Sequence, residues 1–182
     1  MNKADQELIA DIRAGSVGQF DTLMKRYQDM VFKIAFGFTR DNENALDLSQ
    51  DIFTKVYQNL GLLKDGKRFK PWLTKIAYRE GISYMRAHKH NVNRQTFDET
   101  AYMAVSDRDE EFVKLHKNQL IRSLFNLSTR YRLAVVLRYF ENMSIREIAR
   151  TMQTSEGMVK NLLFRSICRL KEDVTEQYDE KM

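Results

Sequence analysis

The sequence predicts an all-α protein: two small helical domains joined by a flexible acidic linker, the C-terminal one with a helix-turn-helix. Three observations predict it. Apolar residues recur at helical spacing through most of the 182 residues, with one proline, Pro71, and seven glycines to interrupt them. No period-2 run of β-branched residues is long enough to argue for a sheet. From about residue 90 to about residue 110 the periodicity lapses and the chain turns acidic, NVNRQTFDETAYMAVSDRDEE, as linkers do. The expected division is 1–90, a linker at 91–111, and 112–182.

Composition narrows the class. With 43% hydrophobic and 30% charged residues the chain is globular rather than disordered. No window approaches the roughly 18 continuous apolar residues that span a bilayer, and MNKADQELIADIRAG lacks the apolar core of a signal peptide, so a cytoplasmic protein is expected. The lone cysteine, Cys168, cannot pair within the chain; among Leu163, Ile167 and Leu170 it reads as a small buried hydrophobe without a function. A net charge of +5 is only suggestive of a polyanionic partner, but its distribution says more. Lys64 to Arg94 holds nine Lys/Arg against two acids, and Gly157 to Lys171 four against none. Asp98 to Glu111 inverts this, with six acids and one Arg.

In chain order, FDTLMKRYQDMVFKIAFGF places Phe20, Leu23, Met24, Tyr27, Met30, Val31 and Ile34 on one helix face, a core stripe. TRDNEN breaks that helix. The next, ALDLSQDIFTKVYQNL, has Asp41, Asn42 or Asn44 as possible caps. It buries Leu48, Ile52, Val56 and Leu60, and shows Asp47, Gln50, Asp51, Thr54 and Gln58 as a polar stripe. GLLKDGKRFK is a loop, and Pro71 falls in the first turn of PWLTKIAYREGISYMRAHKH, where its missing N–H costs nothing. Periodicity resumes at FVKLHKNQLIRSLFNL.

The stretch SIREIARTMQTSEGMVKNLLFRSICRLK carries the strongest local signal. Ser144 with Glu147 three residues on is a capping box, so a helix begins at Ile145 and buries Ile148, Ala149 and Met152. After the turn at Gln153 and Thr154, Ser155 caps a second helix that buries Val159, Leu162 or Leu163, Ile167 and Leu170. Its other face shows Glu156, Lys160, Asn161, Phe164 and Arg165. Two short helices joined this tightly, with polar and cationic groups on the second, suit reading of the DNA major groove; a hairpin with a merely solvated basic face is the alternative. Lys160 lies near a helix start, where backbone N–H groups also favour phosphate.

These segments together resemble a bacterial extracytoplasmic-function (ECF) sigma factor of the sigma-70 family, in the two-domain form with regions 2 and 4, from about Phe20 to Leu170. DNENALDLSQDIFTKVYQNL is similar to the family's polymerase-docking segment, which implies polymerase binding by Asp47, Gln50, Asp51 and Phe53. GLLKDGKRFKPWLTKIAYREGISYMR resembles the −10 segment. That likeness assigns Lys67, Arg68, Phe69, Trp72, Lys75, Arg79 and Arg86 to melted DNA, and cations with aromatic platforms suit a single strand. Phe69 and Trp72 have packing in the core as their other reading. SIREIARTMQTSEGMVKNLLFRS resembles the −35 reader, implying DNA contacts from Arg146, Ser155, Glu156, Gly157, Lys160, Asn161, Phe164 and Arg165.

The chain departs from the family pattern at Arg79 and Ser83, where Asn and Asp are frequent, and at Met158 and Leu162, where Thr and Arg are common. Asp51 stands in place of a common Glu. Ser128 replaces the usual proline and is expected to cap its helix.

The resemblance implies a transcription initiation factor with no catalytic activity, which binds core RNA polymerase and promoter DNA, melts the −10 element and needs no cofactor, metal or small-molecule substrate. It also implies an anti-sigma partner, often membrane-anchored. The histidines at 88, 90 and 116 have no zinc-ligand spacing. The alternative function is a polymerase-independent helix-turn-helix regulator.

Overall fold

The computed structural model describes residues 3–88 and 120–179, with side chains to residue 173. The expected linker, His90 and His116 lie outside the described residues. Every regular element among the described residues is helical.

Four helices make the N-terminal body: α1 (Asp5–Arg13), α2 (Gln19–Thr39), α3 (Asn42–Asn59) and α4 (Phe69–Ala87). The expected stripe of α2 is buried, with Met24 and Tyr27 half-buried at its margin. From Ile34 to Thr39 the helix is buried on all sides, because α3, α4 and the C-terminal body enclose it. It ends at Arg40 in the left-handed region, φ 61°. Asp41 is the cap of α3, its carboxylate accepting from Asn44 N at 2.8 Å. The loop before α4 is two 3₁₀ turns, Leu60–Leu62 and Gly66–Arg68. Pro71 sits in the first turn of α4, as expected.

Helix α1 was not anticipated. Leu8, Ile9 and Ile12 pack it onto the body, each burial contributing about 1.5–3 kcal/mol. Arg13 reaches back to the carbonyls of Leu60 (2.7 Å) and Leu63, fixing the loop that leads into α4. Asp5 accepts from Tyr27 and Arg26 of α2; burial, and then this carboxylate, push the Tyr27 phenol well up.

In the C-terminal body, residues 120–126 are helical (α5), followed by α6 (Thr129–Val135), which runs on through one wider turn, Val136–Phe140, closed by Glu141 N donating to Val136 O at 3.1 Å. Then come α7 (Ile145–Met152) and α8 (Glu156–Asp179). Ser128 stands at the N-cap of α6 but its hydroxyl makes no capping bond, so the expected cap is corrected. Both Leu162 and Leu163 are buried, and Cys168 is half-buried rather than enclosed.

Candidate nucleic-acid interface

The helix-turn-helix is built as its sequence dictates. Ser144 N donates to Glu147 Oε2 at 2.8 Å, and Glu147 N donates back to Ser144 Oγ at 3.3 Å. Ser144 Oγ also donates to Glu147 Oε2 at 2.6 Å; this bond first, and then the one from Ser144 N, hold the Glu147 carboxyl below its ordinary range. Gln153 turns the chain through the left-handed region, φ 52°, and Ser155 Oγ accepts from Met158 N at 3.1 Å to start α8. Val159, Leu162, Leu163 and Ser166 then face inward.

That leaves Glu156, Gly157, Lys160, Asn161, Phe164 and Arg165 outward, along with Ser155 and Arg146. Phe164 is 70% exposed, a large apolar ring held in solvent between Lys160 and Arg165. Among the described residues neither cation has an ion-pair partner. Arg150, one turn on from Arg146, lines the open groove at the start of α8 with it. Arg150 was missed, although its spacing from Arg146 was a legible signal. Met158, exposed, and Leu162, buried, occupy the two positions that depart from the family pattern.

On α3, Asp47, Gln50 and Asp51 are exposed on one face, and Phe53 is half-buried beneath it against the core. At the start of α4 the expected group splits. Lys67 and Arg68 are exposed in the 3₁₀ turn, with Arg68 Nε 3.6 Å from Asp65. Lys75, Arg79 and Arg86 are exposed, and Trp72 is half-buried with its ring 6.0 Å from that of Phe69. Phe69 itself is 1% exposed, edge-on to Tyr27 at 5.2 Å. Its assignment to DNA is therefore corrected: the helix begins at Phe69, and the inward face of that first turn fills the core against α2. Lys70 is drawn away from the cationic group to Glu141, at 3.5 Å.

The sigma-70 region 2 family model matches residues 23–91, and the sigma-70 region 4 model matches residues 117–170. The chain belongs to the sigma-70 family of RNA polymerase sigma factors, in its extracytoplasmic-function group. It is 26% identical to the RNA polymerase sigma-H factor of Pseudomonas aeruginosa, over 89% of each chain. To the ECF sigma factor SigM of Bacillus subtilis it is 28% identical, over 83% of this chain and 92% of that one. Its fold is similar to that of CnrH in complex with the cytosolic domain of CnrY (TM-score 0.68, 21% identity, 96% and 99% of the chains covered). It is similar also to the sigma factor RpoE of Bartonella quintana in complex with the anti-sigma factor NepR (TM-score 0.69, 21% identity, 86% and 96% covered). As a sigma factor it serves transcription initiation. No helix among the described residues is long and apolar enough to cross a membrane.

Proposed function

We propose that this sigma factor docks on core RNA polymerase through Asp47, Gln50 and Asp51 of α3, with Phe53 supporting that face from below. Lys67, Arg68, Trp72, Lys75, Arg79 and Arg86 hold the melted −10 strand. Arg146, Ser155, Glu156, Gly157, Lys160, Asn161, Phe164 and Arg165 read the −35 duplex. The working units are 1–90 and 112–182, connected by 91–111. The protein acts in the cytoplasm and catalyses nothing itself. An anti-sigma factor is its natural silencer, as NepR is the partner in the Bartonella complex.

The observation that carries this reading is the bare cationic and aromatic face of α8, on the second helix of a capped helix-turn-helix. Groove-facing Lys and Arg supply phosphate neutralisation, and Asn and Arg supply base-edge hydrogen bonds. The test is multi-round transcription with core polymerase on fragmented genomic DNA from the source organism. Wild type starts RNA at discrete sites. Asp51→Arg fails to bind core, whereas Lys160→Glu/Arg165→Glu binds core and loses the start sites. New start sites retained by both variants would refute the assignment of these faces.

A further inference from the structure

Helix α1 lies ahead of residue 23, where the region 2 match begins, and none of the DNA- or polymerase-facing residues lies on it. It nevertheless touches the strand-holding loop at both of that loop's 3₁₀ turns. At the C-terminal end of α1, Arg13 Nη2 donates to Leu60 O at 2.7 Å and to Leu63 O, gripping the first turn at its two ends. Gln6, seven residues earlier and so on the same face of the helix, presses on the second turn. A Cβ on Gly66 would stand 2.9 Å from Gln6 Cα and 3.2 Å from Gln6 Cβ. Only a glycine lets the two backbones come this close.

Each turn is bonded within itself. Leu63 N donates to Leu60 O at 3.3 Å in the first, and in the second Arg68 N donates to Asp65 O and Lys67 N to the Asp65 carboxylate, both at 3.0 Å. Among the described residues no hydrogen bond joins one turn to the other. Helix α1 joins them, by spanning both. It is anchored in its turn: Asp5 accepts from Tyr27 and Arg26, and Arg26 Nη2 donates to Lys3 O at 2.8 Å. The Tyr27 ring also meets that of Phe69, the first residue of α4, so α2, α1 and the far end of the loop are tied at one place.

The loop's shape matters because of what stands on it. Leu63, Lys64 and Arg68 line one cleft with Trp72 and Lys75. Lys64, Lys67 and Arg68 are exposed on long flexible stems, which meet a strand in one register only if the backbone beneath them is already fixed. Arg13 pairs with no carboxylate among the described residues; its charge is directed at two neutral carbonyls.

We propose that α1 is a splint for the strand-holding loop, with Arg13 and Gly66 as positioning residues that fix the loop before DNA arrives. Lys67, Arg68 and Trp72 then take the −10 strand without the cost of ordering the loop at that moment. The inference rests on the sigma-factor reading, and its test separates the two.

The probes come from one promoter that wild-type protein uses with core polymerase: a labelled single strand carrying its non-template −10 sequence, and a labelled duplex carrying its −35 sequence. Holoenzyme with Arg13→Ala, and separately with Gly66→Ala, loses about tenfold in affinity for the single strand, the equivalent of about one well-held base. Both variants bind core polymerase and the −35 duplex as wild type does. Arg13→Lys, which keeps a donor at the end of α1, recovers part of the loss. A merely structural role for α1 would lower the melting temperature and weaken strand and duplex alike. Unchanged strand affinity in either variant, or equal losses on strand and duplex, overturns the splint and leaves the sigma reading intact. Absence of discrete start sites with wild type would sink that reading instead.

Discussion

The ring of Phe38 stands where a side chain on Gly81 would go: a Cβ there falls 2.2 Å from ring carbons Cδ2 and Cε2. Gly81 is thus the contact point that lets α4 lie against α2, with Tyr78 closing the other side of the ring edge-on at 5.6 Å. Gly81→Ala gains up to about 1 kcal/mol in helix propensity. It loses more by forcing apart a buried ring and a helix backbone, since overpacking costs about 1–3 kcal/mol and this overlap belongs at the upper end. The expected outcome is a melting temperature lower by about 4–8 °C, from a net loss of about 2 kcal/mol in a chain of this size. Thermal denaturation followed by circular dichroism checks it, and an unchanged or raised midpoint would contradict the packing.

Ser144 and Glu147 satisfy one another's backbone at the start of α7, so Ser144→Ala is expected to cost about 1 kcal/mol. The pH dependence has a definite sign. Glu147 is held below the ordinary glutamate value of 4.5, so its contribution is present above that value and disappears as pH falls through the lower, folded one. Melts between pH 3 and 7 should show Ser144→Ala losing its difference from wild type at the acid end. A difference that stays constant with pH would assign the effect to the hydroxyl alone.

The capping box, the polar stripe on α3 and the buried stripe on α2 could be read from the chain because each depends on residues a turn apart. Asp41 was among three possible caps; the choice fell to the one residue whose extended backbone, φ −139°, aims a carboxylate at Asn44 N. Phe69 could not be settled that way. In a lysine-rich loop an aromatic serves equally as a base platform or as core, and only its packing against Tyr27, distant in sequence, decides for burial. Arg132 was invisible for a related reason: a guanidinium in an apolar stretch reads as solvent-facing until the carbonyls of Gly37 on α2 and of Phe125 and Leu127 at the end of α5 converge on it. Gly37 and Gly81 likewise acquire meaning only from Leu133 and Phe38, residues distant in sequence.

Glu141 makes an ion pair with Lys70 whose removal is not expected to weaken the fold. Burial raises its carboxyl above 4.5 in spite of Lys70 and Lys33, with Asp29 also opposing the charge. A raised acid means the folded protein binds that proton more tightly, so stability from this site grows as pH falls through the folded value. Desolvation therefore outweighs the pair at neutral pH. Glu141→Gln should melt at or above the wild-type temperature at pH 7, and the gain should vanish near pH 4. A clear loss at pH 7 would show that the pair prevails over burial.

Arg132 is the opposite case, a buried cation answered entirely by oxygen dipoles and by the Phe125 ring, 5.2 Å from its central carbon. Burial, with Arg40 second, pushes its pKa down to about 9, which leaves it charged at neutral pH. Arg132→Met takes the donor from the carbonyls of Gly37 and Phe125, each at about 1–3 kcal/mol, while Leu127 O keeps Arg40, so a loss on the order of 3 kcal/mol and about 6–12 °C is expected. Arg132→Lys keeps the charge but not the planar fork, and one ammonium cannot meet donors' targets set on opposite sides of the guanidinium. It should therefore recover less than half of the loss. Full recovery by lysine would mean that charge, rather than the geometry of the three carbonyls, holds this residue in place.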